Sequence, residues 1–253
     1  MDCGVKVKVI MAVHQITLPR RQSQRDNAGK SGRSGNPTHH KRRAGCYVLH
    51  EMMRQVSTLF VESNGIYSKL ENIDLWPIDR DARLYPGNNP VVAHPPCQLW
   101  GPFAKVNYAR WGGEHNRPGN DLGCFQSALY SVRRWGGVLE HPAFSRAWDR
   151  YGLTAPTGIG WSRQSDSDIT WVCEVWQSAY GHKARKRTWL LAHGFAEKPP
   201  DFLWDRIDGE YQIGFHDQRG KLKNKPTISG KKASATPPSF AYALINIARL
   251  SRV

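Results

Sequence analysis

The chain lacks the cysteine pattern of a disulfide-stabilised or zinc-binding protein. Its five cysteines are scattered, and no two of them are separated by only two residues: Cys3, Cys46, Cys97, Cys124 and Cys173. Zinc sites and disulfide frameworks show close or regularly spaced pairs. The odd, unpatterned set therefore predicts free thiols in a reducing compartment, and we expect the protein in the cytoplasm.

Long apolar runs and acidic residues are also scarce. No stretch is apolar enough to span a bilayer, and the mean hydropathy of −0.58 predicts a soluble protein without a membrane partner. The 36 lysines and arginines outnumber 21 acidic residues, which gives a net charge of +15. This excess favours a polyanionic partner, most simply nucleic acid. The alternative is a basic tail on an ordinary domain, because residues 1–45 alone contribute +8, from ten basic and two acidic residues.

Composition divides the chain into four parts. Residues 1–52 are predicted to form a basic, disordered leader, since residues 20–45 are too poor in apolar side chains to fold alone. That leader is compatible with a basic arm on nucleic acid and with a non-native extension before a start at Met52 or Met53. We expect a catalytic α/β domain over 53–193, a short irregular insertion over 194–230, and a C-terminal helix over 231–253 that completes the domain.

Local patterns place the elements of this domain. Apolar, β-branched runs that end in glycine or proline predict strands, and one-sided apolar periodicity predicts helices. The predicted strands are 56–62, 91–93, 137–142, 170–178 and 188–191, and the predicted helices are 121–135 and 235–248, with helical turns at 79–85. Residues 102–120 are polar and glycine-rich, which fits a mobile lid or a plain surface loop.

Two of these strands end in residues with chemical potential. Val91 to Ala93 lead through His94 and two prolines to Cys97, and the prolines hold the thiol at a defined angle. Glu140 lies at the end of the strand that stops at Pro142. In an α/β sheet such strand ends meet at one edge, beside a ligand crevice. We therefore expect Cys97 and Glu140 to lie together.

A thiol, a carboxylate and the arginines Arg185 and Arg187 suit covalent activation of a pyrimidine. A thiolate adds to carbon 6, a carboxyl group bonds the ring nitrogen, and cations stabilise the developing charge. Plainer readings stay open: Cys97 as a buried thiol, Glu140 as a capping carboxylate, and the arginines as a solvated basic face. His94 and His141 lack further ligands at a suitable spacing, so no metal site is expected.

Four motifs in order resemble those of cytosine-5 DNA methyltransferases. They are HPPCQ (94–98), LEHP (139–142), YGHKARKRTWLL (180–191) and TPPSFAYALINIA (236–248). They are similar to the family's Pro-Cys nucleophile loop, its Glu-Asn-Pro strand end, its Arg-x-Arg strand and its final Pro-Pro helix. The chain also looks like compact bacteriophage-encoded proteins of this type, for which the location would be the host cytoplasm.

The resemblance implies roles for particular residues. Cys97 would be the nucleophile, Glu140 would bond the cytosine ring nitrogen, and Arg185 and Arg187 would support them. The methyl donor would be S-adenosylmethionine, the partner DNA, and the C-terminal helix would close the donor pocket. The implied donor-binding residues are Phe60, Glu62, Asn64, Gly65, Asp79, Asp81 and Pro96, although Asp79 and Asp81 also suit ordinary capping of a helical turn.

The chain departs from the family pattern in ways that shape the expected fold. The Phe-x-Gly-x-Gly donor loop is present only as FVESNG (60–65), and the stretch from there to Cys97 is short. About forty residues stand where the family carries a large target-recognition domain. We therefore expect a three-layer, methyltransferase-like (Rossmann-like) α/β sheet with a shortened donor half and no large target-recognition domain.

Two other functions fit the same residues. One keeps the fold but uses another donor, or modifies another pyrimidine such as a free nucleotide. The other is a basic DNA-binding protein that has the fold without turnover.

Overall fold

Seven strands form the main sheet of the protein, in a computed structural model that describes residues 54–213 and 225–253. The predicted leader, residues 1–52, lies outside the described residues, as do residues 214–224 of the predicted insertion. The strands are β1 (Val56–Val61), β2 (Ile73–Pro77), β3 (Val91–Ala93), β4 (Gly137–Pro142), β5 (Ser162–Arg163), β6 (Thr170–Trp176) and β7 (Arg187–His193).

The order of the strands is β2–β1–β3–β4–β7–β6–β5. Strands β2, β1, β3 and β4 are parallel, whereas β7 is antiparallel to both β4 and β6, and β5 is antiparallel to β6. The carboxyl ends of β1 to β4 therefore meet at one edge of the sheet, called here the carboxyl edge. The start of β7 and the end of β6 lie there too, because Thr188 pairs with Pro142 and Trp176 pairs with Arg187.

Helices flank this sheet. They are α1 (Ala104–Trp111), α2 (Cys124–Trp135), α3 (Arg146–Arg150), α4 (Gly230–Ser234) and α5 (Pro238–Leu250). Short 3-10 helices follow β1 (Ile66–Lys69), β2 (Ile78–Arg80 and Ala82–Leu84) and β6 (Gln177–Tyr180). A separate pair of two-residue strands, β8 (Gln212–Ile213) and β9 (Thr227–Ile228), lies in the predicted insertion. None of the described helices is long and apolar enough to cross a membrane.

The central strands are buried on both faces, which explains their continuous apolar sequence. Val92 belongs to the core on the α5 face, with Phe240 and Leu244. Val91 and Ala93 belong to the core on the other face, which α2 covers. The protein is therefore α/β, with a mostly parallel mixed sheet between helices, and this architecture is compatible with a Rossmann-like fold.

Gly137 allows β4 to approach β3 closely. Its φ is +120°, and a Cβ at this position would lie 2.0 Å from the carbonyl oxygen of Val91. Only glycine fits such a contact without moving the backbone. The glycine pair that ends α2 in the sequence thus also sets the start of the strand that bears Glu140.

The structure differs from the sequence-based expectation in two places near the site. Part of the stretch predicted as a loop or lid, residues 102–120, is the helix α1, whose side chains are mostly exposed. Helix α2 begins at Cys124, with Gly123 as its N-cap, and not at Asp121. The buried Asp121 lies before the helix and accepts the Phe125 N–H at 2.8 Å through its carboxylate. Sequence periodicity did not separate Asp121 from the helix.

Candidate active site

Cys97 lies on a short anchored loop at the carboxyl edge, directly after β3. The carbonyl oxygen of Cys97 accepts the Trp100 N–H at 3.0 Å, and the buried Trp100 indole donates to Asp121 at 2.9 Å. The thiol itself is half-buried. These contacts anchor the end of the loop at Trp100.

Glu140 lies beside this loop because β3 and β4 are in parallel register. Ala93 is opposite Leu139, so the next residues, His94 and Glu140, are neighbours at the carboxyl edge. His94 Nδ1 is 3.0 Å from Glu140 Oε2. The predicted convergence of the two strand ends is thus present in the structure.

The Glu140 carboxylate has a hydrogen-bond partner on each oxygen. Gln177 Nε2 donates to Oε1 at 2.9 Å and also to Thr188 Oγ1 at 2.9 Å. A carboxylate only accepts hydrogen bonds, so His94 donates to it through Nδ1–H. His94 Nε2 on the other side of the ring lies 2.7 Å from the Tyr67 hydroxyl, within hydrogen-bond distance. A buried chain of hydrogen bonds fixes the orientation of Glu140.

These neighbours keep Glu140 ionised in spite of its burial. Burial favours the neutral acid, but the hydrogen bond and charge of His94, together with Lys186, lower the pKa of Glu140 from 4.5 to about 2. The Tyr67 hydroxyl stays protonated, since burial and the Glu140 charge raise the pKa of Tyr67 well above its ordinary value. Near neutral pH the site therefore presents a carboxylate.

The Cys97 thiol is subject to opposing influences. Burial and the charge of Glu140 raise the pKa of Cys97, while Lys186 acts to lower it. In turn, burial lowers the pKa of Lys186, and Glu140 and Cys97 act against that shift. Because the thiolate is the nucleophilic form, Lys186 is the cation that favours reaction at Cys97.

Lys186 is held in place by the segment that precedes the last helix. Its Nζ donates to the carbonyl oxygens of Ser234 at 2.9 Å and Ala235 at 3.2 Å. Its φ of +35° is unusual for a residue with a side chain. The C-terminal segment thus positions a charge of the site.

Arg185 and Arg187 have other partners. The Arg187 guanidinium makes two hydrogen bonds of 2.8 Å to Glu174. Arg185 lies 4.0 Å from Asp208, a weak, exposed ion pair. The predicted arginines are thus paired with Glu174 and Asp208, and Lys186 between them is the cation whose charge acts to lower the pKa values of Cys97 and Glu140.

His141 is a packing residue. It is fully buried between Phe125 and Trp148, at centroid distances of 5.1 and 6.3 Å, and burial lowers the pKa of His141 to about 4. Its ring is thus neutral near pH 7. Within the described ranges, no group of three or more histidine, cysteine or acidic side chains is placed to hold a metal ion.

The residues implied for donor binding lie at the carboxyl ends of β1 and β2, except Pro96, which follows β3. Glu62 to Gly65 form a tight turn, in which the Gly65 N–H bonds the Glu62 carbonyl at 3.0 Å and a Cβ on Gly65 would lie 3.1 Å from that oxygen. Glu62, Asn64, Asp79 and Pro96 are exposed, and Phe60, with φ +59°, packs against the core on the α2 face.

Asp81 is occupied by another partner. Its carboxylate bonds the Arg83 guanidinium at 2.6 and 2.8 Å and also caps a 3-10 turn. The exposed carboxylates of Glu62 and Asp79 therefore suit a ribose diol better than Asp81 does.

No family model, curated protein or solved structure matches this chain. The function is therefore argued from the site itself.

Sequence reasoning missed four residues around Cys97 and Glu140: His94, Lys186, Tyr67 and Gln177. His94 and Lys186 lie within the quoted motifs, but nothing in their spacing distinguished them from their neighbours. Tyr67 and Gln177 lie on 3-10 helices after β1 and β6, where no local sequence pattern pointed to them.

Alkylation of Cys97 can test the charges around the thiol. Lys186→Met removes the favourable charge, so we expect a higher pKa of Cys97 and slower alkylation at a given pH. Glu140→Gln removes the opposing charge, so we expect faster alkylation. The rate is measured against pH by mass spectrometry of the Cys97 peptide after iodoacetamide treatment.

Arg185→Met is the matched control, because it removes a cation next to Lys186 that faces elsewhere. It should leave the alkylation profile of Cys97 unchanged. Equal profiles for wild type and Lys186→Met would contradict the assigned electrostatics.

The depressed pKa of Glu140 predicts a pH-dependent stability. The carboxylate stabilises the folded state above about pH 4.5, and this contribution disappears as the pH falls towards about 2. At about 1.4 kcal/mol per pH unit it amounts to about 3 kcal/mol. In urea unfolding, the stability advantage of wild type over Glu140→Gln should shrink across this window. The exposed Glu114→Gln should show a small, nearly constant difference, and the same behaviour for Glu140→Gln would refute the prediction.

Proposed function

We propose that this chain is a compact, bacteriophage-type enzyme resembling DNA cytosine-5 methyltransferases, which transfers a methyl group from S-adenosylmethionine to carbon 5 of cytosine through a Cys97 adduct. The observation that carries the proposal is the placement of Cys97 and Glu140 on adjacent strand ends, with Lys186 acting on both. A nucleophile, a carboxylate and a cation at one edge suit this chemistry.

Cys97 begins the proposed reaction. Its thiolate adds to carbon 6 of the pyrimidine, which makes carbon 5 nucleophilic. The ring nitrogen becomes more basic in this adduct, takes up a proton from water and donates it in a hydrogen bond to the Glu140 carboxylate. Lys186 stabilises the negative charge that develops on the ring. After methyl transfer to carbon 5, water accepts the proton from that carbon, and the thiolate leaves as the ring double bond re-forms.

S-adenosylmethionine, when bound, supplies the methyl group to carbon 5. The turn from Glu62 to Gly65 and the Asp79 carboxylate would hold it, at the carboxyl ends of β1 and β2. The segment between β1 and β3 contains one strand and three short 3-10 helices, which is consistent with a shortened donor half. Donor binding rests on fewer groups than nucleophile activation does.

His94 is a positioning residue in this proposal. It fixes one oxygen of Glu140, and Tyr67 fixes His94 in turn. The carboxylate is thus preorganised before the substrate arrives, so that less reorganisation is needed during the reaction.

Methyl transfer from labelled S-adenosylmethionine to DNA tests the proposal. Cys97→Ala should abolish transfer, with a loss of at least about a thousandfold, because it removes the covalent route. Cys124→Ala, which removes a half-exposed cysteine from the start of α2, is the matched control and should retain activity. Full activity of Cys97→Ala would exclude the proposed mechanism.

Titration calorimetry separates the proposal from a relative that uses another donor. We expect S-adenosylmethionine to bind and Glu62→Gln to weaken that binding. If millimolar donor shows no binding, another donor or another pyrimidine substrate is the better explanation. A non-catalytic DNA-binding relative would instead bind DNA in a salt-dependent manner without any methyl transfer.

A further inference from the structure

Aromatic rings and guanidinium groups alternate on the surface at the carboxyl edge. The Arg187 Cζ lies 4.4 Å from the ring centroid of Phe144 and 6.0 Å from that of Trp176. Arg185 and Arg206 lie 5.0 and 5.9 Å from the same Trp176 ring. We call Phe144, Arg187, Trp176, Arg185 and Arg206 the cation–ring ladder.

The ladder is accessible to a ligand. Phe144 is 60% exposed, although its ring lies 5.1 Å from that of Trp189. The side chains of Arg185 and Arg187 are 40% and 35% exposed, and Arg206 is exposed. An exposed ring beside several guanidinium groups presents flat faces as well as positive charge.

The charges of the ladder are only partly neutralised. Glu174 pairs with Arg187, and Asp208 is shared between Arg185, at 4.0 Å, and Lys225, at 2.8 Å. Arg206 bonds only the Gly158 carbonyl, at 3.4 Å, and no carboxylate of the described ranges pairs with it. Positive charge therefore remains for an anionic partner.

The ladder adjoins the candidate active site. Lys186, which acts on Cys97, stands between Arg185 and Arg187 in the sequence. The Ala143 N–H, one residue before Phe144, bonds the Arg187 carbonyl at 3.0 Å, and the Arg146 N–H bonds Trp100 in the Cys97 loop at 3.1 Å. A chain whose target base reaches Cys97 would pass its neighbouring nucleotides over the ladder.

We propose that the cation–ring ladder binds single-stranded DNA next to the target cytosine, so that the substrate of this enzyme is single-stranded. This inference rests on the proposed function. Rings and guanidinium planes stack on unpaired bases, whose faces a duplex hides, while the remaining positive charge contacts the phosphates. A single strand also presents its target base without the cost of flipping it out of a duplex.

Binding is measured by fluorescence anisotropy in the absence of donor, with a labelled cytosine-containing strand of about 12 nucleotides, a length within the span of such surfaces. The same strand annealed to its complement is the competitor. We expect the single strand to bind at least about tenfold more tightly than the duplex, with an affinity that falls as salt rises.

Two substitutions test the ladder itself. Phe144→Asn removes a ring where φ is +64°, a conformation that asparagine tolerates, and should weaken single-strand binding roughly fivefold to a hundredfold. Arg206→Gln should reduce the slope of log affinity against log salt by about 0.7, which is one phosphate contact to a single strand.

Matched controls come from the opposite edge of the molecule. Arg134 is an exposed arginine whose Cζ lies 5.0 Å from the Trp135 ring at the end of α2, and Tyr130 is another exposed ring on that helix. Arg134→Gln and Tyr130→Ala should leave single-strand binding unchanged. Thermal melting of each variant separates loss of binding from loss of fold.

The outcomes separate this inference from the proposed function. Duplex binding that is equal to or tighter than single-strand binding would overturn the inference. A complete lack of DNA binding would overturn it too. So would an equal loss of single-strand affinity in the ladder variants and the control variants. Methyl transfer to duplex alone would overturn it while leaving the methyltransferase function intact. Absence of transfer to either DNA, with ladder-dependent single-strand binding, would instead refute the methyltransferase function.

Discussion

The hydrogen bond between His94 and Glu140 is the interaction on which the candidate site depends. It joins the ends of two adjacent parallel strands and exists because Ala93 and Leu139 are paired in register. A shift by one residue would send Glu140 to the opposite face of the sheet. The close approach at Gly137 and the two buried faces of β3 and β4 fix that register, so the core determines the geometry of the chemical groups.

The site balances charge in a small buried volume. Glu140 keeps its charge because His94 and Lys186 compensate for burial, and the same carboxylate disfavours the thiolate of Cys97. Lys186 acts on both groups, and the segment before α5 holds it. The last helix is therefore coupled to the nucleophile through one lysine, although it is distant in sequence.

Much of the fold could be predicted from the sequence, because buried parallel strands are apolar runs ended by proline or glycine. The meeting of Cys97 and Glu140 followed from the rule that strand ends share an edge. The cation at the site could not be predicted, since three basic residues stand in a row and the sequence does not distinguish Lys186 from Arg185 and Arg187. Tyr67 and Gln177 reach the site by tertiary packing of short 3-10 helices, which leaves almost no local pattern. The helix α1 was missed because its exposed side chains show no apolar face.

The covalent adduct between Cys97 and cytosine is the central claim, and trapping it is the most direct test. In DNA that carries 5-fluorocytosine, the fluorine at carbon 5 cannot leave as a proton does, so the adduct should persist after methyl transfer. The account predicts a denaturation-resistant protein–DNA complex that requires S-adenosylmethionine and maps to the Cys97 peptide. Absence of the complex, or attachment at Cys124, would contradict the account.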